Sequence, residues 1–296
     1  MMGSANNKKR LTMKNKKFSS IVVLVAIVLT ASCTSFDKHG ELKPVKEIHP
    51  GVLQGYMPVD AMPNSLALIP PPPMDDSSAL ALDKDVNLQG ITLQGSARWD
   101  LAAQDADLAF PQAAGTFSCA LNAPVSQQQT PHLYRLLRRT LADAGLSTYS
   151  AKNHYNRTRP FMVNGQPTCS PEDEKHLSDD GSYPSGHTAI GWAWALILAE
   201  ISPEQADAIL ARGWAFGQSR MICNVHWQSD VMMGRIMGAA AVATLHTNSE
   251  FRAAIEASKD ELKVVRAKGL KPTRDCQLES DALKQYPSSA PWPANK

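Results

Sequence analysis

The segment that most constrains the fold runs from residue 187 to residue 201 and is apolar on nearly every side, reading HTAIGWAWALILAEI. A helix that is hydrophobic all round is stable only where other elements surround it, because none of its faces gains from contact with water. The sequence therefore predicts that this helix is central and that the rest of the domain packs around it.

Helical patterns continue on both sides of this segment. Upstream, four leucines share one face of a predicted helix that Gly145 ends, namely Leu133, Leu136, Leu137 and Leu141. Downstream, residues 202–205 read Ser-Pro-Glu-Gln, a capping box with proline at the first helical position. This box predicts a helix that runs to about Gly217.

Two further helices complete the predicted domain. Residues 226–246 have the composition of a buried helix, and Ser249 is suited to cap an amphipathic helix that ends near Lys268. No alternating strand of any length is visible. The predicted fold class is therefore all-α, a compact helical bundle over residues 91–268.

The remaining segments are predicted to be less regular. Residues 33–90 are rich in helix breakers and include four consecutive prolines, 70–73, after an apolar stretch, so we expect an irregular segment laid over the core. Residues 269–296 contain four prolines and are expected to form a tail held at most by Cys276.

Residues 1–32 have the composition of an export signal. Six basic residues and no acidic one lie in this leader, and its apolar run of nine, residues 21–29, is too short to span a bilayer. Small residues precede Cys33, which allows either lipidation of Cys33 as the first mature residue or ordinary cleavage near Ala31. Met13 is an alternative start. With either cleavage, the mature protein is expected to be periplasmic or otherwise exported, soluble or lipid-anchored.

Charge and composition exclude two classes of protein. The chain has 30 Lys and Arg against 28 Asp and Glu, and without the leader the balance is 24 against 28. A protein that binds a nucleic-acid polymer would show a clustered basic excess. With 43% hydrophobic residues the chain is also too apolar to be a disordered protein.

Five cysteines fit an oxidising compartment. If Cys33 is lipidated or removed, four remain, which suits two disulfides but leaves three pairings open. The alternative is four buried free thiols. The four are Cys119, Cys169, Cys223 and Cys276.

Three short clusters follow one another along the sequence. The first is Lys152 with Arg159-Pro160, the second is residues 181–188, and the third is Ser219-Arg220 with His226 and Asp230. The first and the third carry cations. Guanidinium groups match the paired oxygens of a phosphate, and lysine adds a point charge. Between them Ser185, Gly186 and His187 open the central helix, where backbone N–H groups are unpaired. The set predicts a cage for a tetrahedral oxyanion.

Two histidines supply covalent and proton chemistry. His226 and Asp230 are four residues apart on a predicted helix, so the carboxylate can hold one imidazole nitrogen and leave the other free to attack. His187 is suited to protonate the leaving oxygen from the opposite side of the cage. A nucleophile that faces a general acid is what in-line phosphoryl transfer needs.

Each cluster alone has a simpler interpretation, such as a helix-end salt bridge, an N-cap or a surface His–Asp contact. A metal site formed by His154 with His187, His226 and Asp230 is conceivable, but no short ligand pair such as H-E-x-x-H or C-x-x-C is present. None of these interpretations explains why the whole ordered set occurs in one helical chain.

The three clusters resemble the signature of the type 2 phosphatidic-acid-phosphatase superfamily, which includes the vanadium haloperoxidases. Residues 181–188, GSYPSGHT, resemble the narrower signature of bacterial class A non-specific acid phosphatases. The similarity continues outside the motifs and covers about residues 60–260. It includes SLALIPPPP (65–73), GWAWALILAEISP (191–203), GQSRMICNVHWQSDV (217–231) and ATLHTN (243–248).

The resemblance implies a role for each matched residue. His226 is the nucleophile that becomes phosphohistidine, Asp230 orients it, and His187 is the acid for the leaving alcohol. The implied phosphate-binding set is Lys152, Arg159, Ser185, Gly186, His187 and Arg220. The resemblance also pairs Cys169 with Cys223, which leaves Cys119 with Cys276.

The resemblance further implies a helical, metal-free enzyme without a cofactor, usually a homodimer secreted to the periplasm. Its substrates are small phosphomonoesters, including nucleotides, sugar phosphates and aryl phosphates, and some relatives transfer phosphate to alcohols. Vanadate and other oxyanions are expected to inhibit it, and a lipidated Cys33 would tether it to a membrane.

Three rival functions remain at this point. A vanadium haloperoxidase uses the same cage but is usually much longer. An integral-membrane lipid phosphatase would need several long apolar segments. A non-catalytic phosphate-binding lipoprotein would not need the nucleophile His226, its partner Asp230 or the acid His187.

Overall fold

A computed structural model describes residues 42–285 and is all-α apart from one small hairpin, as the sequence predicts. The leader, its cleavage site and Cys33 lie outside the described residues, as do residues 286–296. Strands β1 (Glu47–His49) and β2 (Val52–Leu53) pair antiparallel. The helices are α1 Ser65–Leu68, α2 Ser78–Ile91, α3 Ala97–Ala106, α4 Ser118–Leu121, α5 Pro131–Leu146, α6 Tyr149–Tyr155, α7 Pro160–Asn164, α8 Glu174–Ser178, α9 Gly186–Ile201, α10 Ala206–Ile222, α11 Gln228–Leu245, α12 Ser249–Ala267 and α13 Cys276–Leu283. Short 3-10 turns cover Val59–Ala61, Gln112–Phe117, Pro171–Asp173 and Pro203–Gln205.

Helix α9 is central, which confirms the prediction from its all-round apolar sequence. It packs against α5, α10 and α11, and its Trp194 is fully buried among the rings of Phe110, Phe117 and Phe216. The indole nitrogen of Trp194 donates to the carbonyl oxygen of Leu137 on α5 at 3.0 Å, so the buried polar atom is satisfied.

Two glycines let α11 approach the first turns of α9 more closely than larger residues would allow. A Cβ atom at Gly234 would lie 2.6 Å from the carbonyl oxygen of Ser185, and one at Gly238 would lie 2.5 Å from that of Ala189. This close approach brings the start of α11, which carries Asp230, beside the start of α9.

The structure corrects the expectation that residues 33–90 are irregular, because α2 occupies residues 78–91. Its buried face carries two polar residues beside Val86 and Gly90. Asp83 accepts from the backbone nitrogen of Ser229 at 2.8 Å, and Asn87 donates to Asn224 at 2.9 Å. Hydrophobic periodicity cannot detect a helix that packs through hydrogen bonds. The predicted tail likewise contains α13, which starts at Cys276.

The segment that leads into the proline run contacts the core through Ile69, as predicted. Ile69 is buried against Ala151 and Tyr183, and the hydroxyl of Tyr183 donates to the carbonyl oxygen of Pro70 at 2.6 Å. Tyr183 belongs to the GSYPSGHT motif, so the N-terminal segment is tied directly to the segment that precedes α9.

Three predicted helix ends differ from the structure. The hydroxyl of Ser202 donates to the Glu204 carboxylate and caps no backbone N–H, so this turn is 3-10 and α10 starts at Ala206. Helix α10 continues through Gly217, which serves close packing and does not end the helix. Helix α12 is capped by Asn248, whose side chain accepts from the nitrogen of Phe251.

Both disulfides form with the predicted pairing. Cys169 is bonded to Cys223, next to the loop that carries His226, and Cys119 is bonded to Cys276 at the start of α13. The second bond joins α13 to the middle of the chain, across a sequence separation of 157 residues.

Replacing Gly238 with alanine is expected to lower the free energy of unfolding by about 2 kcal/mol, although alanine is the better helix former. The new methyl group would meet the backbone of Ala189, so α9 and α11 would have to move apart. The matched control is Ala239→Ser, at the exposed neighbouring position, with an expected change below about 0.5 kcal/mol. Urea denaturation of both variants tests this, and a Gly238→Ala protein as stable as the wild type would contradict it.

Candidate active site

The structure brings the three sequence clusters together at the first turn of α9. Lys152 lies on α6, Arg159 is the residue immediately before α7, and Arg220 lies in the last turn of α10. All three cations are buried. His226 and Asp230 come from the loop after α10 and the first turn of α11.

Backbone carbonyl groups hold Arg159 in place. Its Nε donates to the carbonyl oxygens of Leu177 and Asp180 at 2.8 and 3.0 Å, and Nη1 donates to that of Val225 at 3.0 Å. Nη2 lies 3.1 Å from a carboxylate oxygen of Asp180. The guanidinium plane is therefore fixed before any ligand arrives.

Lys152 has fewer partners. Its Nζ donates to the carbonyl oxygen of Gly181 at 2.6 Å and lies 3.1 Å from the Asp180 carboxylate. Burial, followed by the neighbouring Arg159 cation, lowers the pKa of Lys152 to about 8. The ammonium group is therefore still charged at acidic and neutral pH.

Arg220 is a fully buried guanidinium whose Nε and Nη1 have no hydrogen-bond partner. Burial and the nearby Arg159 lower its pKa to about 9. Leaving donors of a buried cation without acceptors is costly, so such an arrangement points to an acceptor that comes from outside the chain. A tetrahedral oxyanion carries the oxygens that would satisfy them.

The start of α9 adds neutral donors. Ser185 caps the helix, since its hydroxyl oxygen accepts from the nitrogen of Thr188 at 3.3 Å. The N–H groups of Gly186 and His187 lie in the first turn and have no acceptor within the helix. A Cβ at Gly186 would meet nothing closer than the hydroxyl of Thr148 at 3.6 Å, so an anion can approach the backbone there.

His226 is held between Asp230 and Arg159. Its Nδ1 lies 3.3 Å from the Asp230 carboxylate, which can only accept, so Nδ1 carries the hydrogen. Arg159 Nη1 donates to Nε2 at 3.1 Å, so Nε2 carries no hydrogen and its lone pair accepts this bond. This is the tautomer that a nucleophile requires.

The predicted contact is correct, but its predicted origin is wrong. His226 lies before α11, which starts at Gln228, and is not one helical turn from Asp230 on the same helix. Asp230 instead reaches back from the first turn, accepts from the nitrogen of Trp227 at 2.9 Å and contacts the imidazole beyond it.

The two histidines differ in how they can take up a proton. Burial, and then the neighbouring cations, lower the pKa values of both His226 and His187 well below the usual range. In His187, Nε2 lies 2.9 Å from the carbonyl oxygen of Ala106 and therefore carries hydrogen. Its Nδ1 is the atom left to accept and deliver a proton, whereas Arg159 occupies the lone pair of His226.

Arg157 is a residue of the candidate site that the sequence analysis missed. Its Nη1 donates to Asp230 at 2.6 Å, and its Nη2 donates to Asp83 of α2 at 2.7 Å. Burial raises the pKa of Asp230, and the Arg157 guanidinium opposes that rise. The only sequence signal was a second arginine two residues before Arg159, because Asp83 lies in the segment predicted to be irregular.

No group of three or more His, Cys, Asp or Glu side chains that could hold a metal ion occurs between residues 42 and 285. His154, considered for such a site, is exposed on α6 and packs edge-on against Tyr155. None of the helices in the described part of the chain is long and apolar enough to cross a membrane.

The amino-acid sequence matches a known family. The model of the PAP2 superfamily matches residues 135–253, which include all three clusters. The chain is 49% identical over 199 residues to a non-specific acid phosphatase of Providencia stuartii, covering 67% of this chain and 80% of the relative. The chain belongs to the PAP2 superfamily and to its non-specific acid phosphatases.

Two further relatives agree with this assignment. A non-specific acid phosphatase of Salmonella typhimurium is 44% identical over 200 residues, covering 67% of this chain and 80% of the relative. An acid phosphatase of Zymomonas mobilis is 41% identical over 218 residues, covering 73% and 83%. The all-α fold around α9 is the expected fold of a PAP2 protein.

Replacing Arg157 with methionine is expected to lower kcat for p-nitrophenyl phosphate by about 10- to 100-fold, because His226 loses alignment. The acidic limb of the pH profile should move to higher pH, since Asp230 loses the cation that opposes its protonation. Arg157→Lys, which keeps the positive charge, should have a higher kcat than Arg157→Met and a smaller shift of the acidic limb.

The control is Arg266→Met, which removes an arginine bonded to Leu121 and Ser202 away from the site. It should leave the pH profile unchanged. A low kcat in Arg157→Met with an unshifted acidic limb would show that Arg157 only supports the fold.

Proposed function

We propose that this protein is a metal-independent acid phosphatase that hydrolyses phosphomonoesters through a phosphohistidine at His226. The observation that carries the proposal is the imidazole itself. Its Nε2 is the unprotonated nitrogen and lies among Lys152, Arg159 and Arg220, while Asp230 fixes the other nitrogen. The Arg159 N–H that bonds Nε2 turns to the phosphate oxygens when substrate binds, which frees the lone pair. A protein that only binds phosphate has no need of that tautomer.

The first half-reaction forms a P–N bond between His226 Nε2 and phosphorus as the bond from phosphorus to the ester oxygen breaks. The three cations and the N–H groups at the start of α9 stabilise the charge on the non-bridging oxygens. His187 delivers the proton from Nδ1 to the departing alcohol oxygen.

The second half-reaction uses water. His187, now neutral, accepts a proton from the water as its oxygen attacks phosphorus, and the P–N bond breaks. The products are inorganic phosphate and the original His226. An alcohol in place of water would give phosphotransfer by the same steps.

Mildly acidic pH suits this mechanism. His226 stays neutral because burial, Arg159 and the other cations depress its pKa. The same cations act on His187 in the empty site, and a bound phosphate anion offsets their charge and raises the pKa of His187. Substrate binding thereby favours the protonated acid.

We propose small phosphomonoesters as substrates, including nucleotides, sugar phosphates and aryl phosphates. Every predicted contact at the cage goes to the phosphate group, which supports broad specificity for the alcohol, and relatives are named non-specific acid phosphatases. Vanadate and other oxyanions should compete for the cage. We further propose export by the signal in residues 1–32, with or without lipidation of Cys33, and a homodimeric mature protein.

Replacing His226 with alanine should abolish turnover of p-nitrophenyl phosphate, because no covalent intermediate can form. His154→Ala is the matched control, an exposed histidine that should keep full activity. Retention of more than a few per cent of the wild-type rate in His226→Ala would contradict the proposal.

EDTA should leave the wild-type rate unchanged, and loss of activity that zinc or magnesium restores would overturn the metal-free mechanism.

Replacing His187 with alanine should affect substrates according to their leaving group. An alkyl phosphate expels a basic alkoxide, so loss of the acid should cost most of the ~10²–10⁴-fold that such catalysis supplies. A p-nitrophenyl ester expels a stabilised phenolate and should lose far less. Comparing kcat on a sugar phosphate and on p-nitrophenyl phosphate tests this. Equal losses would mean that His187 only binds phosphate.

A further inference from the structure

A carboxylate lies inside the cluster of cations that forms the proposed phosphate cage. One oxygen of Asp180 is 3.1 Å from Lys152 Nζ and 3.1 Å from Arg159 Nη2. The Asp180 side chain is 20% exposed, whereas those of the two cations are almost completely buried. Asp180 is therefore the most exposed of these three charged side chains.

The Asp180 carboxylate is not required to hold these cations in position. Arg159 is already bonded to the carbonyl oxygens of Leu177, Asp180 and Val225, and Lys152 donates to that of Gly181. These four acceptors belong to the backbone and remain when the Asp180 side chain changes. What the carboxylate adds is one negative charge at the donors that a phosphate needs.

A bound phosphate and Asp180 must therefore share Lys152 and Arg159. Two hydrogen bonds in series place the carboxylate roughly 5 to 6 Å from an anion held by the same donors. Even at the dielectric constant of bulk water, a unit charge at that distance changes the affinity for a dianion by about tenfold.

We propose that Asp180 weakens the binding of doubly charged phosphate to the cage and so favours release of the product. This inference rests on the proposed function of the cage as a phosphate site. Each turnover ends with inorganic phosphate among three buried cations, and a carboxylate at the same donors limits product inhibition.

The test replaces Asp180 with asparagine, which keeps the size and one oxygen acceptor but removes the charge. Titration calorimetry with inorganic phosphate at pH 7 should give a Kd about tenfold lower than that of the wild type. The inhibition constant for phosphate should fall by the same factor. Asp179→Asn removes the same charge from the exposed neighbour and should leave both values unchanged.

An unchanged or higher Kd for phosphate in Asp180→Asn would overturn the proposal and show that the carboxylate organises the cations. Asp180→Ser, which is smaller, is the second variant, and it should also bind phosphate more tightly. Calorimetry needs no turnover, so the result is independent of the phosphohistidine mechanism. If the wild type binds phosphate but does not hydrolyse esters, the proposed function fails while this inference is still tested.

Discussion

The structure depends on the concentration of positive charge at the buried start of α9. Lys152, Arg159 and Arg220 converge there from three segments of the chain. Burial depresses the pKa of each of them, and the nearby Arg159 lowers those of Lys152 and Arg220 further. Such a cluster is unfavourable in a protein interior unless acceptors surround it. The chain supplies acceptors for Lys152 and Arg159 and leaves donors of Arg220 without any, which directs the site toward an external anion.

The fold is organised to hold that cluster. The apolar α9 fixes the position of its first turn in the core, and small residues on α11 bring Asp230 beside it. The segment from residue 177 to residue 181 turns its carbonyl groups toward Arg159 and Lys152. On the far side, α2 holds Arg157 through Asp83, so a helix distant in sequence stabilises the arginine that contacts Asp230. The disulfide between Cys169 and Cys223 joins the two loops that flank the site.

Much of this could be predicted from the sequence because it depends on local patterns. The all-round apolar segment identified α9, and the three motifs predicted that these cations and two histidines lie together. The disulfide pairing followed from the family resemblance. What could not be predicted depends on polar packing between distant segments. Helix α2 buries Asp83 and Asn87 beside only one large apolar residue, Val86, so hydrophobic periodicity missed the helix and with it the contact between Asp83 and Arg157. Asp180 was missed because the two cations that it contacts, Lys152 and Arg159, are distant from it in the sequence.

In the proposed mechanism, His226 attacks phosphorus and carries the phosphoryl group between the two half-reactions. The most direct measurement is to mix the wild-type protein rapidly with excess p-nitrophenyl phosphate, quench it in alkaline denaturant and locate the modification by peptide mass spectrometry. We expect a phosphoryl group on the peptide that contains His226, at Nε2, and none on the peptide that contains His187. Steady turnover without any phosphorylated His226, or with the phosphoryl group on another residue, would contradict the account.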